Sequence, residues 1–236
     1  MALILVSASL YFVHFLIFRD KYHIFYYLLS DIAFLPVEVL IVSFILHKLL
    51  QVRERKAMLN KLNMVIGTFF SEVGTDLLRS ISCVYDPRVN ELRRHLKVLK
   101  TETDKYYNIV RTRIRTYDHN VDVSKGKLDD LKSFLISKRE FLLRLLENPN
   151  LLEHDGFTDL LWAVFHLTDE LAMRKRFSEL PQTDLIHLSG DIKRVYGHLT
   201  LEWLDYMHHL KRSYPYIYSL AIRTNPFDID ASPVVS

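Results

Sequence analysis

Three short segments repeat one arrangement: His166-Leu-Thr-Asp-Glu170, His187-Leu-Ser-Gly-Asp191 and His198-Leu-Thr-Leu-Glu202. Each sets an imidazole and a carboxylate at i and i+4, one turn apart on a single helical face. Imidazole nitrogens and carboxylate oxygens together are ligands for transition metals, and helical bundles hold di-metal centres with them. His187, Asp191, His198, Glu202, Asp205 and His209 fall within a stripe about 60° wide at 100° per residue. Their order, however, differs from the inward-facing Glu-x-x-His pattern of those bundles. On a helical wheel His166 and Glu170 point away from Phe157, Leu160, Leu161, Val164 and Leu171. The stripe borders the apolar face of Ile192, Val195, Leu199, Trp203, Tyr206 and Leu210 without lying inside it. Exposed or subunit-contact polar groups are therefore the expected account, and no cofactor is expected. The candidate ligands for a bound metal are His187, Asp191, His198 and Glu202.

Asp31 and Glu38 are the second constellation. They lie seven residues apart, on one helical face, inside an apolar run. Residues 1–50 contain only six charged side chains: Arg19, Asp20, Lys21, Asp31, Glu38 and Lys48. Ala2–Phe18 carries no formal charge, and Ile24–Leu50 is a longer apolar run. As helices they reach about 25 Å and about 40 Å, against a hydrocarbon core of about 30 Å. Both can span, with Arg19–His23 as a tight loop between them. A cleaved signal peptide would need a basic n-region and a small-residue cleavage site, and both are missing. In an antiparallel hairpin Asp31 comes level with Tyr11–His14 and Glu38 with Leu5–Ser7. His14–Asp31 and Ser7–Glu38 are thus the expected pairs. A charge at that depth costs about 3 kcal/mol or more unless paired, hydrated or protonated. The two acids therefore either pack hairpins together or line a water-filled path through an oligomer. Pro36, between them, removes one helical hydrogen bond and should kink the second span.

Beyond the second run stand Arg53, Arg55, Lys56 and Lys61, with Glu54 the one acid among them. By the positive-inside rule this end faces the cytoplasm, and two spans put the N-terminus there too. The rest of the 236-residue chain reads as helical almost throughout. The second span should run on to Gly67, followed by a helix over 68–82. Tyr85-Asp86-Pro87 marks a turn. From Arg88 to Tyr117 the apolar residues Val89, Leu92, Leu96, Leu99, Tyr106, Val110, Ile114 and Tyr117, with Thr103, alternate by threes and fours. That is the heptad spacing of one long bundle helix. Arg111, Arg113 and Arg115 crowd its end, as contacts for an anionic partner or as a solvated cationic terminus suited to the helix dipole.

A polar loop over 118–127 precedes a helix over 128–147, stopped by Asn148-Pro149-Asn150. Asp155 or Thr158 can cap a helix over about 157–176, and Thr183 or Asp184 one reaching about Ser213. Tyr214–Arg223 forms a short aromatic segment. Residues 224–236 read as a loose tail.

The remaining searches exclude much. The chain has no Gly-rich phosphate loop, no G-x-S-x-G, no H-E-x-x-H, no C-x-x-C and no EF-hand loop. Its one cysteine, Cys83, rules out an intrachain disulfide, and six glycines leave little room for a dinucleotide fold. A net charge of +3 does not call for nucleic acid.

Three stretches, Ser30–Glu38 (SDIAFLPVE), Lys61–Gly74 (KLNMVIGTFFSEVG) and Tyr214–Phe227 (YPYIYSLAIRTNPF), resemble a family of uncharacterised prokaryotic two-span inner-membrane proteins with a cytoplasmic helical domain. The resemblance touches both ends of the chain and brings no activity or site residues with it. Residues and resemblance together give an all-α fold: a transmembrane hairpin over 1–50 (spans 2–18 and 24–50), a cytoplasmic bundle over 51–223, and the tail. The expected role is a membrane-anchored, homo-oligomeric interaction or sensory protein that binds lipid and, through its bundle, a protein partner. The alternatives are a small homo-oligomeric ion channel with Asp31, Glu38, His14 and Ser7 along the path, and, more distantly, a membrane-bound metalloenzyme.

Overall fold

The computed structural model describes residues 2–19, 21–86, 88–97, 103–119, 121–123, 127–149, 151 and 154–235. Asp20, Pro87, Leu99, Asn150 and parts of the 118–127 loop lie outside them. All regular structure among the described residues is helical, and the chain divides into two compact units, Met1–Ala57 and Met58–Ser236.

The first unit is α1 (Ala2–Phe18) and the greater part of α2 (Lys21–Phe69), which continues through Pro36 without interruption. Arg19 turns the chain between them at φ 50°, and its N–H closes α1 on the Phe15 carbonyl at 2.9 Å. One apolar stretch, Ile24–Arg55, is long enough to cross a membrane and has none of its 32 residues buried; α1 is a shorter apolar helix.

The second unit is built on α8 (Gln182–Ser213). Pro181, with φ −66° and ψ 155°, starts it; Asp184 stands in the first turn, and Lys211 and Arg212 stand in the last, as the helix dipole favours. Leu188, Ile192, Val195, Leu199, Leu204 and Met207 are at most 1% exposed along its inner face. Such side chains contribute roughly 1.5–3 kcal/mol each on burial. Against α8 pack α5 (Asp104–Thr116), α7 (Asp155–Met173) and α9 (Pro215–Arg223), with α6 (Leu128–Leu146) against α7. Two π-helical segments, Phe70–Gly74 and Ile81–Tyr85, flank α3 (Thr75–Ser80).

Four sequence expectations are corrected. The segment from Arg88 to Tyr117 is two helices, α4 (Val89–Leu96) and α5, because Thr103 is extended (φ −83°, ψ 164°) and starts a new helix ahead of Asp104. Gly67 does not end α2: a Cβ there would lie 3.2 Å from the Tyr206 hydroxyl, so this glycine admits a neighbouring ring. Residues 224–236 are not loose at their start. Phe227 is fully buried against Trp203, the Asn225 amide donates to the Leu96 carbonyl at 2.8 Å, and Lys97 pairs with Asp228 at 2.7 Å. Finally, His154 caps α7, its Nδ1 accepting from the Phe157 N–H, in place of Asp155 or Thr158.

Candidate functional site

Helices α7 and α8 run antiparallel in one register, which sets 166 beside 191, 170 beside 187 and 156 beside 202. This register brings two of the three His/carboxylate repeats together. His187 Nε2 lies 3.3 Å from Asp191 Oδ2, and His166 Nε2 lies 3.6 Å from the same oxygen. Glu170 closes the group, its Oε2 3.6 Å from His187 Nε2 and its Oε1 3.9 Å from His166 Nε2. The imidazoles are about half exposed, whereas the Asp191 side chain is 4% exposed.

Arginines fix both acids from behind. Arg194 donates to Asp191 Oδ1 at 2.9 Å. Arg174 donates to Glu170 Oε2 at 2.6 Å and grips Asp184 through two bonds of 2.7 Å. Hydrogen bonding to Arg174 holds the Glu170 and Asp184 carboxyls below their ordinary range. It also explains why Asp184 does not cap α8.

The third repeat stays apart. Neither His198 nor Glu202 makes a hydrogen bond or ion pair with these four residues among those described. Glu202 is buried further along the seam, facing Gly156, where a Cβ would come within 2.4 Å of its Oε1. Burial, with Asp205 adding repulsion, raises its carboxyl to about 7.

Sequence reasoning missed a second buried polar centre. Asp86 accepts from the Tyr196 hydroxyl at 3.0 Å, the Tyr117 hydroxyl at 3.1 Å and the Arg88 N–H at 2.9 Å. His119 lies between the two tyrosine rings with neither ring nitrogen hydrogen-bonded, and burial lowers its pKa to about 4. The Asp-Pro turn was the only trace of this centre in the sequence.

In the first unit Asp31 accepts from Tyr11, one turn before the expected His14, at 3.4 Å; the His14 ring lies against Phe18 instead, tilted by 39°. Ser7, Tyr11 and His14 line one groove of α1. The expected Ser7–Glu38 bond is not formed, and Glu38 has no partner among the described residues. Of the three crowded arginines, Arg111 is paired with Asp205 and Arg113 contacts His95, and both Arg113 and Arg115 are exposed. Cys83 is exposed and accepts from Arg93.

Residues 1–50 match the family described as "MJ1433, N-terminal helical domain", and residues 58–223 match "Uncharacterized protein MJ1433, C-terminal helical domain". The chain belongs to the MJ1433 family. A family relative from Methanocaldococcus jannaschii, "Uncharacterized protein MJ1433", is 50% identical over 226 residues, which cover 96% of this chain and 90% of the relative. The two family domains coincide closely with the two structural units, and the four-residue cluster falls wholly within the C-terminal one. No solved structure matches the chain.

Proposed function

We propose that this MJ1433-family protein is a two-span integral membrane protein whose helical bundle lies on the cytoplasmic side and works as a homo-oligomeric interaction or sensory module. The observation that carries this reading is the exposure of the first unit: Ile24–Arg55 contains an 18-residue window of mean hydropathy 2.1 and has no buried residue. Leu40 is 70% and Phe44 69% exposed. A soluble protein covers apolar surface of this extent, and lipid is the cover that fits a helix of this length. The bundle, by contrast, has a buried apolar core of its own.

Glu38 supports self-association. It sits at hydrocarbon depth without a partner, and a second copy can supply one. The basic residues Arg53, Arg55, Lys56 and Lys61 set the orientation.

Topology labelling tests the reading. In a Cys83→Ser background, Tyr22→Cys between the spans is expected to react with an impermeant thiol reagent from outside intact cells. The protein itself should require detergent for extraction. Extraction by carbonate, or labelling of Tyr22→Cys only in inverted vesicles, would overturn the anchor or its orientation respectively.

A further inference from the structure

We propose that His166, His187, Asp191 and Glu170 form a binding site for one divalent transition-metal ion on the α7–α8 seam. This inference stands independently of the membrane reading.

The first argument is an orphaned acceptor. Asp191 is 3% exposed, yet its Oδ2 has no hydrogen-bond partner, while Oδ1 is satisfied by Arg194. A buried carboxylate oxygen left unsatisfied is costly, and native structures normally provide a partner. The two imidazole nitrogens nearest to it stand at 3.3 and 3.6 Å, and neither presents an N–H to it in hydrogen-bonding geometry. The ring nitrogens and the carboxylate oxygen converge on a common point instead of on one another.

The second argument is metric. Four ligands at about 2.0–2.1 Å around a tetrahedral ion stand about 3.3 Å apart along each edge. The two imidazole nitrogens stand 3.3 and 3.6 Å from Asp191 Oδ2, and one ligand atom from each of His166, His187 and Asp191 fits within a span of 4.8 Å; Glu170 flanks this trio, with Oε2 3.6 Å from His187 and Oε1 3.9 Å from His166. Small rotations of two half-exposed imidazoles bring the set to coordination distance. The same exposure gives an ion its way in.

The third argument is support and chemistry. Arg194 holds Asp191 by its far oxygen, Oδ1, as the outer partners of metal ligands do, and Arg174 holds Glu170 through Oε2, which leaves Oε1 on the His166 side. Two imidazoles with two carboxylates suit zinc, manganese, iron(II) or cobalt. Calcium and magnesium take oxygen ligands.

The test uses the full-length protein in detergent, purified without a metal-affinity tag and dialysed against chelator. Cobalt(II) is titrated in and its visible absorption recorded, and zinc is then added as competitor. The expected result is one equivalent of bound cobalt, displaced by zinc, with an absorption band showing nitrogen and oxygen ligation. His187→Ala, His166→Gln and the isosteric Asp191→Asn should each weaken binding about 10-fold or more. His198→Ala, on the same stripe but outside the cluster, should bind as the parent does. Thermal melts of the metal-free variants separate lost ligation from lost fold, and His166→Gln alters a half-exposed side chain, so it leaves the core intact. Absence of saturable binding, or binding as tight as the parent's by folded His166→Gln and His187→Ala, would overturn the proposal.

Discussion

Glu202 and His119 titrate in opposite senses inside one bundle. The Glu202 carboxyl is raised from 4.5 to about 7. Its contribution to stability is therefore complete below about 4.5 and is lost as pH rises through about 7. His119 is lowered from 6.5 to about 4, so its contribution is present above 6.5 and is lost as pH falls through about 4. The two slopes oppose each other where they overlap, and the parent's pH profile conceals both. Comparing Glu202→Gln with the parent isolates the first: the variant's relative stability should grow by roughly 3 kcal/mol from acid to alkaline pH. Chemical denaturation at several pH values measures it, and a constant difference would show that Glu202 is not buried as a charge-averse group. At this scale the sequence was half legible. The i, i+4 repeats announced their residue types. A helical wheel, though, orients a side chain only against its own helix's apolar stripe. It does not give the register between helices, which joins 166 with 191 and leaves 198 and 202 apart.

Helix interiors carry the next set of expectations. Gly74 ends the first π-helical segment, and a Cβ on it would fall 2.6 Å from Phe70 Cδ1 and 2.7 Å from Phe69 Cε1. Both rings are fully buried and stack edge-on, so they have little space to yield. Gly74→Ala is expected to cost about 1–3 kcal/mol through overpacking. Gly190, in α8, meets nothing within 4 Å, so Gly190→Ala should stabilise by about 0.5–1 kcal/mol through reduced chain entropy. Thermal melts of the two variants should move in opposite directions; a shared direction would contradict the packing at Gly74. Most helices were readable from apolar spacing, including α6, α7 and α8. Breaks were harder to read. A glycine signals a helix end or a close neighbour with the same letter, so Gly67 reads as a boundary in the sequence alone. Thr103 continued a heptad on paper while its backbone is extended. The residues after Arg223 look polar and short, but Phe227 supplies a buried ring that no periodic pattern flags.

For the molecule as a whole, the contrast between the two units governs behaviour. One carries its apolar side chains outward and the other gathers most of them into a core. That contrast was plain in the charge distribution, because six charged residues among the first fifty leave no polar face. If copies associate through the first unit, Asp31 and Glu38 are the groups that most need a protein surface. Replacing both with Leu is expected to shift the detergent-solubilised particle to smaller mass by light scattering, with the bundle's melting temperature unchanged. An unchanged mass would place the contact elsewhere. The α7–α8 hairpin has a consequence of a different kind. All four side chains of the proposed centre lie between His166 and Asp191, joined by the short connection over 174–181. Contacts so close along the chain close quickly and at small entropic cost. The ligand atoms therefore meet as soon as the start of α8 folds back on α7, before the ribosome has delivered α9. An ion captured at that moment would act as a clasp on a growing chain, making metal supply during synthesis a determinant of how efficiently the bundle matures.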